Sequence, residues 1–192
     1  MSKYNTSSGN GDFETTPAGN HLARIYSIVD IGDQEYTDPQ GKVSNNRKVV
    51  YSFELVNERM LDGRPFVISK FYTASLHDKA SLTADLNSLR GVKMTKEDKA
   101  KFDDQALLDM PCMVNVVHSE KMGGGIQAKV SGLSAVPKGL EVPNLTNTIV
   151  YFDLDNQIQG MLELVPDWIS EKINWDTQVV PEPSASSPEP NF

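Results

Sequence analysis

Residues 65–91, PFVISKFYTASLHDKASLTADLNSLRG, change their period midway. From Phe66 to Tyr72 the spacing is two: Phe66, Ile68, Lys70 and Tyr72 share one face, and Val67 and Phe71 lie on the other, which predicts a strand. From Ser81 the spacing lengthens. Leu82, Leu86 and Leu89 recur at helical intervals, with Ser81 as the predicted N-cap and Gly91 as the stop. A strand here passes directly into a helix, and the fold depends on what flanks this junction.

Upstream, Asp62-Gly63 has the chemistry of a hairpin turn. Residues 48–58, KVVYSFELVNE, are predicted as a strand that groups Val49, Tyr51, Phe53 and Leu55. Residues 21–31, HLARIYSIVDI, read as another, with Ala23, Ile25, Ser27, Val29 and Ile31 on one face and Arg24, Tyr26 and Ile28 on the other. The segment between them, 32–48, is rich in turn residues and is expected to be a long connection. Downstream, 95–110 opens with Thr95 and Asp98 in capping-box spacing and predicts a second helix. Two strands follow, PCMVNVVHSE at 111–120 and IQAKVSGLSAV at 126–136, joined by the tip KMGGG.

The order β-β-β-α-β-β is that of the OB-fold, a five-stranded Greek-key barrel that takes oligonucleotides or oligosaccharides across its second and third strands. The expected class is therefore mainly β with minor α. Residues 1–20 are predicted as a flexible arm, 21–136 as the barrel, and 137–175 as a linker with an edge strand near 149–156. A short helix from Pro166 would turn Trp168, Ile169 and Ile173 toward the barrel. Residues 176–192 are predicted as an acidic tail, because Pro, Ser and Glu at this density cannot offset the entropy of ordering.

The net charge of −8 is unevenly spread. Residues 141–192 carry nine acids and one base, residues 1–140 balance at 17 of each, and residues 42–101 carry 12 bases against seven acids. Such asymmetry points to nucleic acid or to an acidic interaction tail. The single cysteine, Cys112, excludes an intrachain disulfide and suits a reducing compartment. No apolar run near the N-terminus resembles a signal peptide, and none is long enough to span a membrane.

Little in the chain suggests catalysis. His21, His77 and His118 lack ligand spacing, and Asp153-x-Asp155 is only a fragment of a two-metal nuclease site. Gly123-Gly124-Gly125 is not followed by Lys-Ser/Thr or a helix, so it reads as a hairpin tip and not as a phosphate loop. No cofactor or metal site is predicted, and the chain is read as a non-enzyme.

Single-strand binding needs cations along phosphates and rings beneath bases. Candidates for both are Arg24, Tyr26, Tyr36, Arg47, Lys48, Tyr51, Arg64, Lys70 and Tyr72, with Lys121 and Lys129 flanking the glycine tip. Alternation pairs Arg24 with Tyr26 and Lys70 with Tyr72, and a face that sets a base beside a tyrosine is expected to stay out of the dry core. Each candidate has a plainer alternative: Tyr51 lies in an apolar stripe, Tyr26 and Tyr72 could cover the barrel with only their hydroxyls in water, and Arg47, Lys48 and Arg64 flank turns.

The blocks TTPAGNHLARIYSIVDIG, DGRPFVISKFYTASLHDKASLTADLNSLRG, PCMVNVVHSE and VPDWISEKI together resemble a group of small phage proteins that bind single-stranded DNA. The resemblance spans residues 13–175 and implies an OB-fold that coats single strands during phage DNA replication or recombination, in the bacterial cytoplasm. It also implies a use for PEPSASSPEPNF: such proteins end in an acidic segment closed by an apolar residue, so Glu182, Glu189 and Phe192 would recruit phage or host replication proteins. Asn191 and the small number of acids depart from that pattern. Two other classes stay open. One is an OB-like adaptor for proteins or a DNA-mimic inhibitor; the other is a metal-dependent nuclease using Asp153 and Asp155. Neither a membrane partner nor a fixed oligomeric state, monomer or homodimer, follows from the sequence.

Overall fold

The first strand departs from strict alternation because extra residues, Tyr26 and Ile31, are fitted into it. In the computed structural model, which describes residues 14–156 and 161–176, β1 (Gly19–Thr37) pairs antiparallel with β2 (Val43–Arg59). The register shifts between Ile25 and Ser27, leaving Tyr26 as the extra residue of a β-bulge. A bulge flips the alternation that follows it. Ala23 and Ile25 therefore share their core with Ile28, while Val29 and Ile31 enter a second core on the opposite side. Strict alternation predicted Val29 and Ile31 beside Ala23; the bulge corrects that.

The hairpin is longer than expected. Gly32–Thr37 pairs with Val43–Lys48, and the turn itself is Asp38–Lys42, closed by Asp38 N donating to Lys42 O at 3.0 Å. The expected connection is thus largely a two-stranded ribbon. It carries no hydrophobic period because its outer part stays exposed among the described residues, so hydrogen bonds rather than burial define it.

β3 (Pro65–Thr73) follows the Asp62-Gly63 turn and pairs with β2, then α1 (Ser81–Arg90) begins. Its N-cap is Ala80, not Ser81, and makes no side-chain cap bond, whereas Gly91 ends it at φ 70°, where a residue without a β-carbon is least strained. The second helix, α2, is short (Lys96–Ala100) and is followed by a 3-10 turn at Gln105–Leu107. Its start has the expected box: Thr95 Oγ1 accepts from Asp98 N at 3.1 Å, and Asp98 accepts from Thr95 N at 2.7 Å. Thr95 N, Arg90 and the Thr95 hydroxyl, all donating to it, hold the Asp98 carboxyl down at about 2. β4 (Pro111–Glu120) and β5 (Ile126–Ser134) complete the antiparallel path β3-β2-β1-β4-β5, and β6 (Val150–Phe152) adds to β1 in parallel beyond the end of β4.

Among the described residues the result is mainly β with three short α-helices. Among the described residues no backbone ladder joins β3 to β5, although the two strands lie near each other. A side chain from α1 spans them instead. Asp85 accepts from Lys70 Nζ and Tyr72 Oη on β3, each at 2.7 Å, and lies 3.4 Å from Leu133 N on β5. The inner core beneath includes Ile25, Phe53, Leu55, Leu82, Leu86 and Val114. Cys112 is buried there, and burial pushes its thiol up to about 12.

The segment after β5 packs on the same sheet. Glu54, wholly buried on the outer face of β2, accepts from Thr146 N, Asn147 N and Asn147 Nδ2. The short helix α3 (Asp167–Ser170) then sets Ile169, with Val165 and Ile173, against Val29, Ile31 and Val50. Ile169 and Ile173 fulfil the packing expected of them; Trp168 stays half exposed. No described helix is long and apolar enough to cross a membrane.

Candidate functional site

Most of the basic and aromatic residues singled out above are already engaged. Arg24 reaches into the C-terminal segment, donating to Pro143 O (2.7 Å), Val142 O (3.1 Å) and the Asp109 carboxylate (3.0 Å). Arg47 is gripped by Asp30, with Asp155 at 2.9 Å and Asp153 at 3.9 Å, and the bond to Asp30 raises its already high pKa further. Asp153 and Asp155 therefore face a guanidinium. Among the described residues no group of three or more His, Cys, Asp or Glu is placed to hold a metal ion. Lys48 Nζ donates to Thr73 Oγ1 at 2.7 Å, and Arg64 folds back on Asp62 inside its own turn.

The aromatic candidates on the strands are core residues. Tyr51 and Tyr72 meet edge to face at 5.2 Å, both almost fully buried. Tyr26 is buried at the bulge, and burial raises its pKa. The expectation that a face bearing Lys70 and Tyr72 would stay out of the dry core does not hold for Tyr72. Asp85 supplies what makes burial tolerable: it neutralises Lys70 and accepts the phenol hydrogen, so neither group is left unpaired. Of the eleven candidates, Tyr36, Arg64, Lys121 and Lys129 are exposed. Glu182, Glu189 and Phe192 lie outside the described residues.

The exposed rings sit on the other face of β3. Val67 and Phe71 point outward, and Phe71 meets Trp168 of α3 edge-on, with centroids 6.2 Å apart. The same outward faces of β1 and β2 are covered by the C-terminal segment, whereas Val67 and Phe71 on β3 stay exposed among the described residues. Across the seam between β3 and β5 lies a shallow groove of about 320 Å³, with Val67, Phe71 and Trp168 on one side and Lys121, Ile126 and Gln127 on the other. Between Lys121 and Ile126 the hairpin tip carries a fully exposed Met122 and three glycines at φ 106°, 94° and 89°. No atom lies within 4 Å of where a β-carbon would stand on those glycines, so backbone conformation requires them and packing does not.

Sequence reasoning passed over Phe71, Trp168, Val67 and Ile126. The signal was present in the alternation, which placed Phe71 opposite Tyr72. What was missing was Asp85, fourteen positions away in sequence, which decides which of the two faces is dry. No protein-family model and no curated protein matches this chain.

Proposed function

We propose that the chain is an OB-type protein that binds single-stranded DNA with little sequence preference, along the seam between β3 and β5. The exposed Phe71–Trp168 pair beside Lys121 is the observation that carries this reading. Rings held open next to a cation are the minimum that base stacking and phosphate neutralisation require. The strand order supports an OB-type barrel, as does the approach of β3 to β5 with Asp85 standing in for a ladder. A role in phage DNA replication or recombination, with Glu182, Glu189 and Phe192 drawing in replication proteins, follows from the resemblance of the sequence blocks.

Fluorescence anisotropy of a labelled mixed-sequence strand of about 30 nucleotides, at two salt concentrations and against duplex competitor, tests the proposal. Binding that weakens with salt, ignores duplex and quenches Trp168 supports it. No binding at low salt overturns it. The apolar weight of the groove, with Val67, Phe71 and Ile126 exposed, also suits a protein-binding adaptor, and that reading would then take precedence.

A further inference from the structure

A second site lies at the other end of the inner core and shares no residue with the groove. We propose that the acidic cleft between the start of α1, the 102–104 loop and β6 binds a linear polyamine, its ammonium groups on Asp103, Asp104 and Asp153 and its methylenes on the apolar wall.

The cleft is open, about 690 Å³ in volume, and lined by four carboxylates, Asp30, Asp103, Asp104 and Asp153, against one guanidinium, Arg47. Arg47 is consumed by Asp30, Asp153 and Asp155. Asp103 and Asp104 have no cationic partner among the described residues; Asp103 accepts only from Gln105 N and Asp104 only from the Tyr151 hydroxyl at 2.9 Å. Unneutralised carboxylates side by side in a concave site favour a cation from outside.

A second observation points the same way. Tyr51 lines this cleft, is 1% exposed, and its hydroxyl has no hydrogen-bond partner. Buried hydroxyls are normally paired, and an unpaired one in a concave site marks a place for a ligand group. Burial, with a smaller contribution from the negative charge of Asp104, raises its pKa and keeps it protonated. Burial and the charges of Asp103 and Asp153 likewise hold the Asp104 carboxyl above its ordinary range, against the lowering effect of the Tyr151 bond.

Shape selects among cations. A smaller cavity of about 320 Å³ shares Asp103, Tyr151, Phe152, Asp153 and Asn156 with the cleft and adds Gln105 to its lining. The wall of the cleft includes Leu76, Leu82 and Phe102. Carboxylates beside an apolar wall match ammonium groups carried on methylenes. A compact hydrated metal ion would leave the apolar wall unused, and no described carboxylates converge on a point.

The test is an amide NMR titration of the full chain with spermidine, compared with potassium chloride at matched ionic strength. Saturable shifts at Asp103, Asp104 and Tyr151 are expected, with affinity about tenfold weaker in Asp103→Asn/Asp104→Asn. Asp104→Asn alone, which can still accept from Tyr151, is the fallback if the double variant unfolds, and should also weaken binding. Shifts reproduced by potassium chloride, shifts confined to residues 177–192, or affinity unchanged in the variants would overturn the proposal. So would saturable binding of an oligolysine peptide without spermidine binding. DNA binding in the same variants should be unchanged, which separates failure here from failure of the groove.

Discussion

Phe71 and Tyr72 are consecutive residues on one strand, one 45% exposed and the other 1%. Both faces of β3 carry a ring, and both have apolar neighbours. What separates them is the element each face meets. The inner face meets α1, whose Asp85 satisfies the lysine and the phenol; the outer face meets the rim of the C-terminal segment, where Trp168 touches Phe71 and leaves it half exposed. A polar handle on a ring is thus no sign of solvent. Tyr72 is buried because its hydroxyl can be paired, and Phe71, which has nothing to pair, is the one left out.

The comparison breaks first at Tyr72. Tyr72→Ala should lower unfolding free energy by about 4 kcal/mol, since it removes a buried ring and strands Lys70 and Asp85 around a cavity. Tyr72→Phe should lose only about 1 kcal/mol, the hydrogen bond to Asp85. Urea denaturation of both checks this; equal effects of the two substitutions would mean that Asp85, not packing, dominates.

Asp85→Ala comes next, at about 3 kcal/mol, because it leaves a half-buried ammonium and a buried phenol without an acceptor. Its local signature should exceed its global one. Hydrogen exchange ought to quicken on both β3 and β5, which no described backbone ladder joins. Faster exchange on β3 alone would show that Asp85 does not tie the two strands.

How much of this could be read from the chain follows the same division. Strand order, the Asp62-Gly63 turn, the Thr95 box, the Gly91 stop and the packing of Ile169 and Ile173 were legible, because each depends on residues close in sequence. The Tyr26 bulge was not, since one extra residue in a strand leaves no compositional trace and shows only against its partner's register. The outer half of the β1–β2 ribbon was missed for want of a hydrophobic period. In the candidate site, the roles of Arg24 and Arg47 were hidden by distance: their partners lie at 142–143 and 153–155. A basic residue reads as free until the acid that the fold brings to it is known.

Phe71→Ala and Trp168→Ala reverse the pattern expected at Tyr72. Each should shift stability by less than about 1 kcal/mol, as exposed positions do. Each should weaken single-strand binding about tenfold, within the range for one lost stacking partner. Lys121→Ala should instead flatten the dependence on salt by about one unit of slope. A stability loss at Phe71 as large as that at Tyr72 would erase the distinction between the two faces.

The smallest effect concerns pH, at the acidic cleft where burial is incomplete. The folded Asp104 carboxyl titrates above its ordinary 3.8, because burial and the charges of Asp103 and Asp153 oppose ionisation more than the Tyr151 bond favours it. Between the unfolded and folded values, the folded protein keeps a proton that the unfolded chain has released. Stability from this group therefore falls as pH rises through that window and is level above it. Asp98 works the other way: its depressed carboxyl loses stability as pH falls toward about 2. A single pH profile mixes the two, so the quantity to measure is the difference between the protein and Asp104→Asn, in which Asp98 cancels. That difference should favour the variant at neutral pH and shrink on acidification past the folded value. A difference that does not change with pH would mean that Asp104 is ionised as easily in the cleft as in the open chain, and that its neighbours' charges are already screened there.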